Sequence, residues 1–485
     1  MSYLSKPIHE LHEMILSGEV TPLELVKESL ALAKEDDNNA FEYISEKEAL
    51  ERVKNLDDNK RSNLLYGIPV VIKDNFSTKD IPTTGSCNIL NGYVPIFSSE
   101  AVLRLENAGA IVIGKTTLDS LGMGGSGTAG HKGITYNPWD KEHEHIIGGS
   151  SCGSAAAISA GIVPLAIGSD TGDSVRKPAS YAALVGFKPT WGRISRFGLF
   201  PFATSLDHVA YFTRNVCDSA IVLNVLAGRD DKDASSSFKE VEDYTKNLNN
   251  PIKGKKIAVV NQIIASIKNE HILQEFNKTI EGLKNLGADI YHVDMDERIL
   301  KAIPPTYIII SSAEAISNNA NLDGIKFGVR KEGNTFEEVM INSRTEGFNS
   351  LIKRRFVVGG FSLRKENVDE MFFRAQKCRH LIVDAFNKIF DEYDAIYCPA
   401  AASTAPLIKN CGSGILGNDC PIADDYLSYG NMGGYPSITL PIGFENGLPF
   451  GANLTTKPFE ESLLLNIATK VEEVAGLKDL VAKKN

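Results

Sequence analysis

An α/β fold is what this sequence predicts, on three observations. Strand, helix and strand signals follow one another between residues 66 and 116, a second β-α-β unit follows between 255 and 295, and a helical lead-in precedes both. Taken in order, IHELHEMILSG has apolar residues at helical spacing and stops at Gly18. TPLELVKESLALAKEDD then opens with a Thr cap and a proline suited to a first helical turn. Residues 6 to 60 are therefore expected to be helical, a lead-in over 1–60 ahead of one domain over 61–485. YGIPVVIKDN is a short β-branched run ending in charge, the pattern of a buried strand that delivers Lys73 and Asp74 to an edge. SSEAVLRLENAG reads as an amphipathic helix closed by Gly109, and AIVIGKT as the next strand. From 120 to 192 the chain is rich in Gly, Ser and Ala, with almost no charge from 146 to 169, so backbones can approach one another or a ligand closely. The polar stretch 227–255 reads as a surface excursion. KKIAVVNQ, HILQEFNKTIEGLKNLGA and DIYHVDM then form the second strand, helix and strand.

Composition narrows the function classes. The 485 residues are 43% hydrophobic and 23% charged, an ordinary globular mixture, and the net charge of −10 argues against a broad grip on nucleic-acid phosphates by this chain alone. Seven cysteines without a CxxC pair fit free thiols in a reducing compartment better than a disulfide frame. No apolar run approaches the roughly 18 to 20 residues that span a bilayer, and the N-terminus lacks a secretory pattern, so a soluble cytoplasmic protein is expected. No metal site is expected: His143 and His145 sit in the charged loop DKEHEHII without cysteine or HExxH context.

Three motifs match a pattern and fail its context. GAIVIGKT, residues 109 to 116, fits GxxxxGK[ST], but its middle residues are the apolar body of a strand rather than a phosphate-cradling turn. GMGGSG, residues 122 to 127, fits GxGxxG without a following helix signal. Gly149 to Gly153 fits GxSxG, yet the nine histidines supply no evident triad partner. What survives is Lys73, the pair Ser150 and Ser151, and Ser174 in GSDTGDSVRKP. A serine hydroxyl becomes a nucleophile when a base takes its proton, and a lysine kept neutral by burial is such a base. A second serine between them can relay the proton. The same residues are also what a small-residue core beside a strand-end charge would contain.

At these residues the sequence resembles the amidase signature family. The similarity runs from about residue 66 to 215, through GIPVVIKDN, then IIGGSSCGSAAAISAGIVPLAIGSDTGDSVRKPASYAALVGFKPTWGRIS, then LDHVAYFTRNV. The resemblance implies a mixed central β-sheet flanked by helices on both faces and a Ser-Ser-Lys triad. In it Ser174 would be the nucleophile, Ser150 the bridging serine after a cis peptide, and Lys73 the base. Backbone amides of Thr171, Gly172, Asp173 and Ser174 would form the oxyanion pocket. In the second half, YIIISSAEAISNNANLDGIKFG, INSRTEGFNSLIKRRFVVGGFSL and YDAIYCPAAASTAPL are similar to the branch of the family that serves tRNA-dependent amidotransferases. That similarity implies that Tyr307, Arg355 and Asp424, or the adjacent Asp425, hold free glutamine. It further implies that the released ammonia passes to partner subunits B and C, which amidate Glu-tRNA(Gln) using ATP and Mg, with no cofactor in this chain. A stand-alone amide hydrolase and a catalytically silent scaffold are the alternatives.

Three positions depart from the family's pattern. Cys152 replaces a glycine in GGSSGGS, Asp173 replaces a glycine in TGGS, and Lys177 stands where that branch carries Gln. A carboxylate in the pocket would repel the oxyanion, so the Asp173 side chain is expected to turn towards Lys177 or Arg176 while its amide still serves the pocket.

Overall fold

PVVIK and IVIGKT become neighbouring parallel strands because each is β-branched, short and buried along its whole length. In the computed structural model, residues 2–411 and 421–482 are described. Their strands are β1 (Phe41–Ile44), β2 (Pro69–Lys73), β3 (Ile111–Thr116), β4 (Leu165–Asp170), β5 (Val185–Lys188), β6 (His208–Thr213), β7 (Lys256–Val260), β8 (Asp289–Val293), β9 (Ala395–Pro399), β10 (Ser437–Glu445) and β11 (Leu448–Thr456). All lie in one sheet ordered β1-β3-β2-β4-β6-β5-β10-β11-β9-β7-β8. The sheet is mixed as expected. β3, β2 and β4 run parallel at one end and β9, β7 and β8 at the other, with antiparallel pairs between them. Helices cover both faces, and β2 divides its side chains between two apolar clusters, Val70 and Ile72 to one and Val71 to the other.

Two expectations need correction. The lead-in is not wholly helical: between helices Pro22–Lys34 and Glu46–Lys54, FEYI forms β1, which pairs antiparallel with β3 at the sheet edge. Local periodicity could not show this, since a four-residue strand is stabilised by its partner rather than by itself. Helix Glu297–Asn318 is also long and apolar enough, by length and composition, to cross a membrane. Here it packs against helices Ser350–Ser362 and Arg374–Glu392 and buries Leu300, Ile303 and Ile310 in the core. The excursion after residue 227 is anchored by buried Tyr244, Leu248 and Ile252.

The misleading motifs take ordinary structural roles. Gly114 of GAIVIGKT lies inside β3, where a Cβ would stand 2.7 Å from the Tyr43 carbonyl oxygen of β1, so glycine there permits strand contact. GMGGSG wraps an internal carboxylate: Asp119 accepts the amides of Ser126, Gly127 and Ala129 at 3.2, 3.0 and 2.9 Å. His145 pairs with Asp140, and His143 stacks on Tyr136. The six described cysteines are free, and Cys420 lies outside the described residues.

Candidate active site

β2 ends at Lys73, and the helix Cys152–Ser159 begins just after Ser150 and Ser151. That helix is buried on every side, which its run of Ala, Ser and Gly permits. The ends of these two elements meet. Lys73 Nζ donates to Ser150 Oγ and Ser151 Oγ, both at 2.8 Å, and to Ser169 Oγ at 2.9 Å. The Gly149–Ser150 peptide is cis, as the family resemblance implied for the bridging serine. Ser151 N donates to the Ser174 carbonyl at 3.2 Å, which ties the serine pair to the loop that carries Ser174. Ser174 itself is 2% exposed. No histidine hydrogen-bonds Ser150, Ser151 or Ser174 among the described residues, which leaves GxSxG without a triad partner.

Lys73 is fully buried and, among the described residues, ion-pairs with no carboxylate. Burial pushes its ammonium down to about 7, against the opposing influence of Cys152, Asp119, Asp170 and Asp207. An amine that is substantially neutral near pH 7 can accept a proton, which an ordinary lysine cannot. Cys152 does not compete as a nucleophile, because burial pushes its thiol up to about 12.

The loop between β4 and the helix Arg176–Tyr181 is clamped from below. Burial alone would raise Asp170, but Arg176, paired at 3.0 Å, holds its carboxyl well below the usual range. Asp170 also accepts the Val175 amide at 3.0 Å, and Arg176 reaches back to the Gly172 carbonyl at 2.6 Å. With these contacts made, the amides of Gly172, Asp173 and Ser174 donate to no protein acceptor among the described residues. Three such successive backbone donors, ending at a serine, are able to bind an anion. Thr171 contributes a different bond, from its hydroxyl to Asp207 at 2.7 Å.

Tyr307, Arg355 and Asp424 come from three separate elements. The Tyr307 ring lies over the loop: a Cβ on Gly172 would stand 2.9 Å from its Cζ, so any side chain there would push the ring aside. The Arg355 guanidinium lies 5.9 Å from the Tyr307 ring centroid and donates to Met123 O and Ser311 Oγ at 3.2 and 3.3 Å. Asp424 is half-buried and accepts the Ala402 amide at 2.9 Å, while Asp425 is exposed.

The expected pairing of Asp173 is not what the structure makes. Lys177 Nζ donates to the carbonyls of Asp424 and Ala400 at 2.7 and 3.1 Å and lies 3.8 Å from the Asp424 carboxylate. Arg176 is committed to Asp170. The Lys177 amide returns to the Asp173 carbonyl at 2.8 Å, so the two residues are one helical turn apart, but the Lys177 ammonium is taken up by the Asp424 and Ala400 carbonyls instead. Sequence reasoning also missed Ser169 and Asn75: Ser169 Oγ accepts from both Lys73 and Asn75 Nδ2, the latter at 3.0 Å. The available signal was a polar end on the otherwise apolar strand LAIGSD.

A family model described as Amidase matches residues 24–465. The A subunit of glutamyl-tRNA(Gln) amidotransferase from Staphylococcus haemolyticus is 39% identical over 491 residues, covering 100% of both chains. Its counterpart from Lactobacillus delbrueckii subsp. bulgaricus is 39% identical over 99% of this chain and all of that one. Among solved structures, the A subunit of glutamyl-tRNA(Gln) amidotransferase from Thermotoga maritima superposes with a TM-score of 0.72 at 33% identity, covering 92% of this chain and 94% of that chain.

Proposed function

The chain belongs to the amidase family, and on that premise we propose that it is the glutamine-hydrolysing subunit of a tRNA-dependent amidotransferase. It releases ammonia for the ATP-dependent conversion of Glu-tRNA(Gln) to Gln-tRNA(Gln). The observation that carries this reading is a buried Lys73 amine with two serine hydroxyls at 2.8 Å and no carboxylate partner among the described residues.

The chemistry follows from that amine. Neutral Lys73 takes a proton from Ser150, Ser150 takes one from Ser174, and Ser174 Oγ attacks the side-chain amide carbon of glutamine. The amides of Thr171, Gly172, Asp173 and Ser174 stabilise the oxyanion, and such a donor is worth about 2.7 to 4 kcal/mol of barrier. The relay returns the proton to the departing nitrogen, ammonia leaves, and a glutamyl ester remains on Ser174. Water, activated by the same relay, then releases glutamate. Arg355 clasps the α-carboxylate in the manner of guanidinium-carboxylate pairs, Tyr307 borders the substrate, and Asp424 is the family's candidate for the α-ammonium.

The names of the relatives support an assembly with other subunits, here subunits B and C in the cytoplasm, with ATP and Mg handled by the partner. The net charge of −10 and the strand-bound GAIVIGKT fit that division of labour. Reconstitution with candidate subunits B and C tests it: glutamine should drive formation of Gln-tRNA. Glutamine hydrolysis that partners neither stimulate nor couple to Glu-tRNA would instead identify a stand-alone amidase. Failure of Ser174 to be acylated by an electrophilic amide analogue would identify a scaffold.

A further inference from the structure

Two departures from the family's pattern, Asp173 and Lys177, lie one turn apart, and the structure relates them through Asp424. Lys177 is 5% exposed and its ammonium is held by the Asp424 carbonyl, the Ala400 carbonyl and, at 3.8 Å, the Asp424 carboxylate. A carboxylate with a resident cation and an amide hydrogen bond from Ala402 has little left to offer an incoming ammonium. Asp173 has the opposite arrangement. Its neighbours Gly172 and Ser174 are buried while it stays partly open, and the nearby cations on its own segment are engaged elsewhere, Arg176 with Asp170 and Lys177 with Asp424. Asp173 is flanked by Ser174 and by Gly172, over which the Tyr307 ring lies, which puts it in the loop that borders the proposed glutamine site.

Resting on the glutaminase reading, we infer that Asp173 is a substrate-binding residue that receives the α-ammonium of glutamine in place of Asp424, whose charge Lys177 neutralises. This resolves the difficulty of a carboxylate beside an oxyanion pocket. Unpaired, Asp173 opposes the oxyanion; paired with the substrate's own cation, it does not. Only an amide that carries a cation at the α-carbon removes the penalty, so the same residue binds glutamine and rejects amides without that charge. Burial pushes the Asp173 carboxyl up to about 6, with Lys177 and Arg176 pulling it down and Asp170 and Asp425 pushing it up. Arg355 and Tyr307 are the other ionisable groups on which its charge acts. The carboxylate must be ionised to bind ammonium, so the preference for glutamine is half developed near pH 6, increases above it and declines below it.

The experiment compares glutamine with 4-carbamoylbutanoate, which keeps the amide and the distal carboxylate but lacks the α-ammonium. Both are assayed in the reconstituted complex. Glutamine turnover by the unsubstituted complex reports on the proposed function, and its absence would overturn that reading and this one together. The ratio of kcat/KM for the two amides reports on Asp173 alone. Asp173→Asn should cut that ratio by about tenfold to a hundredfold, the worth of a hydrogen bond to a charged group, by raising KM for glutamine and raising turnover of 4-carbamoylbutanoate. Asp424→Asn should lower the ratio by less than Asp173→Asn does, since that carboxylate already has its cation. Adding Lys177→Gln to Asp173→Asn should restore much of the preference by freeing Asp424. A larger fall in the ratio for Asp424→Asn than for Asp173→Asn, or an equal fall for both amides in Asp173→Asn, would overturn the inference and leave the glutaminase reading standing.

Discussion

Lys73 and Lys115 end adjacent parallel strands, both fully buried, and differ in everything that matters for chemistry. Register pairs Ile72 with Lys115 and Lys73 with Thr116, which sends the two side chains to opposite faces of the sheet. On one face, among the described residues, Lys73 donates only to hydroxyls and a carbonyl. On the other, Lys115 meets Asp74 at 3.2 Å, with the Phe76 carbonyl and Thr83 Oγ1 completing its bonds. Burial lowers both ammonium groups, but at Lys115 the shift is opposed by a paired carboxylate, Asp74, whereas at Lys73 it is opposed only by Cys152 and by carboxylates that form no ion pair with it among the described residues. Burial by itself thus does not make a lysine a base. The absence of a paired carboxylate does.

The largest expected effect separates the two by rate. Lys73→Ala should lower kcat for glutamine by about a thousandfold or more, the range of a lost general base that acts as part of a unit, with little change in melting temperature. Preserved activity would assign Lys73 to structure and remove the contrast.

Next in size is a stability effect with the rate spared. Lys115→Met strands the Asp74 carboxylate, whose pKa burial already raises, and should cost about 3 to 5 kcal/mol in denaturant unfolding. Its kcat per folded molecule should stay within about threefold of the unsubstituted protein. A Lys115→Met, Asp74→Leu pair should recover most of the stability, because removing both partners leaves no buried charge. A rate loss on the scale of Lys73→Ala would show that Lys115 also serves the relay.

The smallest effect is in pH dependence. Lys73 must be neutral to act, so kcat/KM should rise as pH increases through about 7, and Lys115→Met should keep that limb. Stability carries the same signature. The folded pKa is depressed from 10.5, so between about 7 and 10.5 the unfolded chain holds a proton that folded Lys73 has released, and folding stability from this group rises with pH across that window. Lys73→Met should flatten that slope in pH-dependent unfolding, and an unchanged slope would place the titration elsewhere.

The two lysines also show how far a linear reading reaches. Strands β2 and β3 were legible from β-branched runs, and Lys73, Ser150 and Ser174 stood out because small residues surround otherwise unexplained polar ones. The face each lysine takes was not legible. Counting alternately along IVIGKT puts Lys115 with Ile111 and Ile113, but β3 carries an extra residue where pairing steps from Val112 to Gly114, and that slip turns Lys115 to the other side.

The sequence by itself determined the α/β class, strands β2, β3, β7 and β8 with the helices Glu100–Asn107 and Glu270–Asn285 that connect them in pairs, and the residue types able to move a proton, since all of these follow from periodicity and side-chain chemistry along the chain. Tertiary structure alone decided that β1 joins the sheet, that Ser169 accepts from both Lys73 and Asn75, that Lys177 goes to Asp424 rather than Asp173, and that one buried lysine keeps a carboxylate while its neighbour does not. The reason is physical: burial and ion pairing depend on groups that are distant in sequence, and a single bulge is enough to exchange the faces on which they meet.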